Sequence, residues 1–169
     1  MKDSKVELSD KDLEVLLKEF TSFLDEKHRS GDKTTKGVGN LKYNICNTNK
    51  YVYKDFIVRG GIGQGNLRSG DLGMAFLYGK NTMKEGVYIW LTYRPEDKEI
   101  ILKLGRSWTH DSRLEPEKKK SFNKDWCDEG YKNNLDYRLI TKDISKLLDI
   151  FLTDKRTQRF TKIFCQEER

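Results

Sequence analysis

The sequence has no apolar run that approaches the roughly 18 residues of a membrane-spanning helix, and it opens on polar residues. Its three cysteines, Cys46, Cys127 and Cys165, are too few and too widely spaced for a disulfide framework or a cysteine-based zinc site. With two histidines, His28 and His110, a conventional His/Cys metal cluster is also hard to assemble. These absences predict a cytoplasmic protein without a membrane span, a bound metal or a cofactor.

The chain is poor in hydrophobic residues and rich in charged ones, with 36% of each in 169 residues. Globular domains carry about 45–50% apolar and about 25% charged residues, but eight Phe, eight Tyr and three Trp still provide material for a core. The length predicts a single domain over residues 1–169. The formal net charge of +6 favours a polyanionic partner such as double-stranded DNA. The alternative is that the lysine-rich composition only keeps the protein soluble, and that the positive net charge reflects no such partner.

The order of helical and strand patterns predicts helices at both ends of a β-rich core. Residues 9–28 are predicted to form an amphipathic helix capped by Ser9, because leucines and phenylalanines recur at three- and four-residue steps. Short strands follow within residues 43–107, and the clearest hairpin has residues 94–98 as its loop. A C-terminal helical part is predicted over residues 139–165, with Thr141 as a cap.

No catalytic motif is complete in this sequence. The closest approach to a phosphate-binding loop ends at residues 79–81, and it lacks the first glycine of that motif and the hydroxyl that would hold magnesium. Asp97, Glu99 and Lys103 can be arranged as a metal-dependent nuclease set, but such coincidences are expected in so charged a chain. The sequence therefore predicts a binding protein without catalysis. A nuclease subunit and a plain protein-interaction module are the alternatives.

Residues 60–66 form a glycine-rich turn between two predicted strands, and this turn is the most informative motif in the chain. Its glycines permit positive φ angles or a close approach of the backbone to a ligand. Gln64 and Asn66 carry amide side chains that can meet the edges of DNA bases. Arg59 and Arg68 flank the turn with positive charge and are candidates for phosphate contacts. The alternative is a glycine-rich hairpin or bulge in which Gln64 is merely exposed.

Residues 53–107 resemble the N-terminal DNA-binding domain of the McrB family of modification-dependent restriction systems. The resemblance depends on the order and spacing of short motifs, which are Tyr53, Val58, Gly63-Gln64-Gly65-Asn66, Ala75-Phe76-Leu77, Gly86-Val87-Tyr88, Tyr93 and Leu102-x-x-Gly105-x-Ser107. It implies an α+β fold in which N- and C-terminal helices flank a strongly bent, mostly antiparallel, open-barrel-like sheet. It also implies that a motor or nuclease is supplied by another domain or subunit.

The function that the resemblance implies is recognition of a modified cytosine in duplex DNA. Domains of this family bind duplex DNA, and the McrB domain turns a methylated cytosine out of the helix into a pocket. In the family, the residue between the two turn glycines fills the gap that the base leaves, a role that falls here to Gln64. Tyr88 and Thr92 match positions at the wall of the pocket, and Asn66 matches a polar position beside it.

The sequence departs from the family at one position of this pocket. A Pro-Trp pair commonly precedes an apolar strand in the family, and its tryptophan helps to sandwich the flipped base. This chain has Asp71-Leu72-Gly73 there, so Leu72 is the pocket candidate and the aromatic ring is missing. Trp90 shares a strand face with Tyr88 and Thr92 by alternation and is the candidate substitute, with a core tryptophan as the alternative. A pocket that reads a different base, or binding without base flipping, also stays open.

Overall fold

A computed structural model describes residues 4–67, 72–79, 86–107, 129–132 and 135–153 of the chain. The described residues form two long helices and seven strands. In chain order these elements are β1 (Val6–Glu7), α1 (Asp10–Ser30), β2 (Tyr51–Tyr53), β3 (Phe56–Gly61), β4 (Leu72–Leu77), β5 (Gly86–Arg94), β6 (Glu99–Ser107), β7 (Glu129–Lys132) and α2 (Tyr137–Thr153). A short 3-10 turn, Val38–Asn40, lies between α1 and β2.

The seven strands form one bent, open sheet in which each strand pairs with its neighbour in sequence. β1 and β2 run parallel, and the remaining pairs along the sheet are antiparallel. The longest pairing joins β5 to β6, from Gly86 opposite Ser107 to Arg94 opposite Glu99. The predicted hairpin around residues 94–98 is therefore confirmed. The predicted α+β class, with a mostly antiparallel sheet and helices from both ends of the chain, is confirmed as well.

Helix α1 begins and ends where its capping chemistry dictates. The Ser9 hydroxyl accepts a hydrogen bond from the Asp12 amide, and the Asp12 carboxylate accepts one from the Ser9 amide, which together form a capping box. Gly31 ends the helix with a φ of 71°, a left-handed conformation that glycine adopts without strain. The predicted Ser9 cap is confirmed, and the helix continues to Ser30, slightly past the predicted end at His28.

Both helices pack on the same face of the sheet, and the main core lies between them and the strands. The Phe56 and Phe151 rings meet edge-on with 5.5 Å between their centroids, which joins β3 to α2. The Tyr93 hydroxyl donates to the Asp25 carboxylate of α1 at 2.5 Å, so β5 also anchors a helix through a polar contact. The buried core residues from the two helices are Leu13, Leu16, Leu17, Phe20, Leu24, Ile140, Ile144, Leu148 and Phe151.

Helix α2 begins earlier than its predicted cap, Thr141. The Asp136 carboxylate accepts hydrogen bonds from the Arg138 and Leu139 amides, so Asp136 is the residue that caps the helix. Thr141 lies inside the helix and is buried against the core, so its prediction as a cap is wrong. The predicted helical part beyond residue 153 lies outside the described residues.

Candidate functional site

The face of the sheet opposite the helices carries a small second cluster of side chains. Neighbouring residues of a strand point to opposite faces, so the residues that alternate with the main core meet here. Ala75, Leu77 and Trp90 are buried in this cluster, and Ile57 and Tyr88 pack against them. The Tyr88 and Trp90 rings lie 6.4 Å apart between centroids, in an edge-on arrangement. This surface of β3, β4 and β5 is called the outer face below.

Three of the predicted pocket residues, Tyr88, Trp90 and Thr92, lie together on the outer face of β5. The Trp90 indole N–H donates to the Thr92 hydroxyl at 2.8 Å, which joins two of them directly. Trp90 is 7% exposed and Thr92 is 1% exposed, whereas Tyr88 is half-buried. Tyr88 is therefore the aromatic residue of this group with surface to offer a base, and Trp90 is a buried tryptophan of the second cluster.

Leu72 does not join these three residues. It alternates along β4 with Met74 and Phe76, whose side chains belong to the main core on the helix side of the sheet. Leu72 packs against that same core. The residue paired with it on the neighbouring strand β5 is Tyr93, which is also a core residue. The register of β4 against β5 thus turns Leu72 away from the outer face, and the structure separates it from the other predicted pocket residues.

Two glycines, Gly61 and Gly73, lie next to Thr92 in the register of the sheet. Gly61 of β3 pairs with Gly73 of β4, and Gly73 pairs with Thr92 of β5. A Cβ atom on Gly73 would lie 1.8 Å from the Leu91 carbonyl oxygen, so a larger residue there requires the strands to move. Gly61 and Gly73 are both buried, and the close approach of β4 to β5 explains why position 73 holds a glycine.

The glycine-rich turn presents Gln64 at the protein surface. Gly63 and Gly65, on either side of Gln64, have φ angles of 114° and 73°, which residues with a side chain rarely adopt. The Asn66 amide donates to the Gln64 carbonyl at 2.8 Å and tightens the turn. Gln64 and Asn66 are both exposed, as contact with DNA bases would require.

A second loop, residues 31–37, holds the glycine-rich turn in place. The Thr35 amide donates to the Gly65 carbonyl at 2.8 Å, and the Leu67 amide donates to the Lys33 carbonyl at 2.7 Å. These two backbone bonds join segments that are far apart in the sequence, so the pattern of residues alone does not reveal the pairing. No candidate site residue is predicted in this loop from its sequence.

Basic side chains lie near the turn and on the outer face. Arg59 is half-buried on β3, opposite Ala75, and its guanidinium donates to the Asn49 side-chain carbonyl at 2.9 Å. Lys33 and Lys36 of the 31–37 loop are exposed. Arg68, the other predicted phosphate contact, lies outside the described residues.

Glu99, one acid of the nuclease alternative, is held in ion pairs. Its carboxylate lies 3.5 Å from the Arg94 guanidinium and 3.3 Å from the Lys132 ammonium. Asp97 is exposed in the turn between β5 and β6. Across the described ranges, no group of three or more His, Cys, Asp or Glu side chains is placed to hold a metal ion. Burial raises the pKa of the Cys46 thiol to about 11, which makes it a poor nucleophile at neutral pH.

Comparison of the chain with protein-family models, with curated proteins and with solved structures finds no match. Within the part of the chain that the structure describes, neither helix is both long enough and apolar enough to cross a membrane. The features that bear on function are therefore the glycine-rich turn, the outer face and the motifs in the sequence.

Proposed function

We propose that this chain is the DNA-recognition domain of a modification-dependent restriction system and reads a methylated cytosine by turning it out of the duplex. The observation that carries the proposal is Gln64, an exposed amide between two positive-φ glycines in a turn braced by a second loop. Base extrusion needs a side chain to fill the vacated position and a flat surface to receive the base. The motor or nuclease of the system acts from another domain or subunit.

Gln64 has the chemistry to replace an extruded base. Its amide carries both donors and an acceptor, so it can fill the gap and hydrogen-bond the orphaned partner base. The backbone bonds at Gly65 and Leu67 restrict the turn before DNA arrives, and less conformational entropy is then lost on insertion. Asn66 lies in the same turn and offers a second amide to base edges.

The outer face supplies the receiving surface in this proposal. Tyr88 is the ring with exposed surface, and aromatic stacking contributes about 1–3 kcal/mol per base. The hydrogen bond from Trp90 to Thr92 fixes the side chains beneath that surface.

Phosphate contacts are assigned to basic residues around the turn. Lys33 and Lys36 are exposed in the loop that braces it, and Arg59 lies on the adjoining strand. Lysines that neutralise phosphates release condensed counterions, so their contribution to affinity falls as salt concentration rises. These contacts position the duplex and carry no sequence information of their own.

Titration of matched duplexes, one with 5-methylcytosine and one unmodified, at two salt concentrations tests the proposal. The intact chain is expected to bind both, to prefer the methylated duplex and to lose affinity steeply with salt. Gln64→Ala should remove the preference and keep the salt dependence, whereas Lys36→Ala should weaken binding to both duplexes alike. Asn40→Ala and Lys142→Ala are matched controls at exposed positions outside the turn, and they should change neither property.

The outcomes of these titrations, together with a cleavage assay on the same duplexes, distinguish the proposed function from its alternatives. Duplex affinity that is undetectable at low salt, or independent of salt, would contradict DNA recognition. Equal affinity for the two duplexes would leave a domain that reads only the charge and shape of DNA. Magnesium- or manganese-dependent cleavage that Asp97→Ala or Glu99→Ala abolishes would favour the nuclease alternative. A thermal melt of every variant separates loss of binding from loss of folding.

A further inference from the structure

Lys27 is a charged residue on the buried stripe of α1, one turn after Leu24. Its side chain is 8% exposed, and its ammonium lies 5.4 Å from the centre of the Phe23 ring. Burial of a lysine carries a desolvation cost that an apolar residue at the same position would avoid. Stability alone therefore does not explain why this position holds a lysine. The residues that its ammonium group contacts indicate what else the lysine does.

The partners of Lys27 lie in the 31–37 loop. The ammonium donates to the Asp32 carboxylate at 2.7 Å and lies 3.4 Å from the Thr34 hydroxyl. The other Asp32 oxygen accepts from both the amide and the hydroxyl of Thr34, each at 2.8 Å. The Lys27 ammonium and the two Thr34 donors hold the pKa of the Asp32 carboxyl well below its usual range, so it stays ionised at neutral pH. Lys27, Asp32 and Thr34 are called the loop clamp below.

The loop clamp acts on the same few residues that brace the glycine-rich turn. Thr34 pairs with Asn66 in an antiparallel bridge, and the residues on either side of Thr34 make the two backbone bonds to the turn. A continuous series of contacts therefore runs from the Lys27 ammonium through Asp32 and Thr34 to the residues that flank Gln64.

We propose that Lys27 is a positioning residue for Gln64: through Asp32 and Thr34 it fixes the 31–37 loop, and this loop fixes the glycine-rich turn in the conformation that enters DNA. The inference rests on the proposed function for its DNA-binding part, and on the contacts of the free protein for its structural part. Without the ammonium, the loop keeps its Asx-type bonds to Asp32 but loses the ion pair that joins Asp32 to the side of α1. The turn then samples more conformations, and Gln64 inserts at a greater entropic cost.

Amide hydrogen exchange of the free protein tests the structural part. Lys27→Met replaces the ammonium by an apolar group of similar length, and the exchange of the Thr35 and Leu67 amides should become about tenfold faster or more. Lys54→Met is the matched control, because Lys54 also bonds an aspartate, Asp149 of α2, in a tether separate from the turn. Exchange of the two amides in this control should stay within about twofold of the intact protein. Unchanged exchange in Lys27→Met would overturn the inference whatever the protein binds.

Asp32→Asn provides a second variant in case Lys27→Met fails to fold. Asp32 is 40% exposed, so the change leaves the core intact while it weakens both the ion pair and the bonds to Thr34. It should accelerate exchange of the same two amides, and normal exchange in this variant would also overturn the inference.

Duplex titration tests the DNA-binding part. Lys27→Met should lose preference for the methylated duplex by about fivefold or more while its affinity for unmodified DNA stays within about twofold, because the phosphate contacts remain. Faster exchange with an unchanged preference would overturn the positioning role in recognition. If the intact protein binds no duplex, the proposed function fails, and the exchange result still decides whether the loop clamp orders the turn.

Discussion

Gly73→Ala is the substitution whose effect follows most directly from the geometry of the sheet. The added Cβ would lie 1.8 Å from the Leu91 carbonyl oxygen, 2.8 Å from the Leu91 carbonyl carbon and 3.2 Å from the Thr92 Cα. Because ordinary contact begins at 3.4 Å, β4 and β5 must separate locally by more than an ångström. A ladder hydrogen bond lengthened by that amount from about 2.9 Å is no longer a hydrogen bond.

The expected cost follows from the bonds that this separation breaks. Each buried backbone group left without a partner costs about 1–3 kcal/mol, so two such groups at about 1.5 kcal/mol each lower the free energy of unfolding by about 3 kcal/mol. For a chain of this size, about 3 kcal/mol corresponds to a fall in Tm of about 6–12 °C. Circular dichroism melts and urea titrations measure both quantities.

Gly130→Ala is the matched control for this prediction. Gly130 lies in β7 of the same sheet, is exposed, and a Cβ there meets nothing within 4 Å. Its substitution should change the free energy of unfolding by less than about 0.5 kcal/mol. Equal melting temperatures for Gly73→Ala and Gly130→Ala would refute the close approach of β4 to β5 at Gly73.

Three further changes test the packing and electrostatics of the fold. Trp90→Phe removes the N–H that donates to the buried Thr92 hydroxyl. This change should lower the free energy of unfolding, measured by urea titration, by about 1–3 kcal/mol. Unchanged stability would show that this hydrogen bond contributes nothing to the free energy of unfolding. Asp136→Ala removes the cap of α2 and should cost about 0.5–2 kcal/mol in the same assay, and a variant as stable as the intact chain would contradict the capping role. Burial, reinforced by hydrogen bonds to aspartates, raises the pKa of the Tyr53 and Tyr93 hydroxyls, so the fold favours the neutral phenols. Their contribution to stability is complete below about pH 10, where tyrosine ionises in the unfolded chain, and is lost as pH rises further. The urea midpoint should therefore fall more steeply above that pH in the intact chain than in the Tyr53→Phe, Tyr93→Phe double variant, and equal pH dependence would count against these two groups.

Local signals were sufficient for much of the fold. The apolar stripe of α1, its Ser9 cap and the β5–β6 hairpin follow from residue spacing and turn chemistry, and the structure bears them out. β7, by contrast, has the short sequence Glu-Gly-Tyr-Lys, which carries no strand pattern and becomes a strand through pairing with β6. The cap of α2 was misassigned because Asp136 and Thr141 both suit an N-cap, and burial of Thr141 decides between them.

The candidate site was predictable in part. Two glycines around Gln64 indicate an exposed turn, and alternation along β5 places Tyr88 with Thr92. The face to which Leu72 points depends on the register between β4 and β5, which the sequence does not encode locally. The loop clamp is a tertiary contact, for which the spacing of Asp32 and Thr34 in an Asx turn is the one local signal.

Fluorescence of 2-aminopurine placed at the target position of a duplex tests the central claim most directly, because this base brightens when it leaves the stack. At saturating concentrations of the intact protein, the fluorescence is expected to rise clearly. Gln64→Ala, at concentrations that also saturate the duplex, should give a smaller rise, while the Asn40→Ala control should match the intact protein. A saturated duplex that stays dark with the intact protein would contradict base extrusion by the glycine-rich turn.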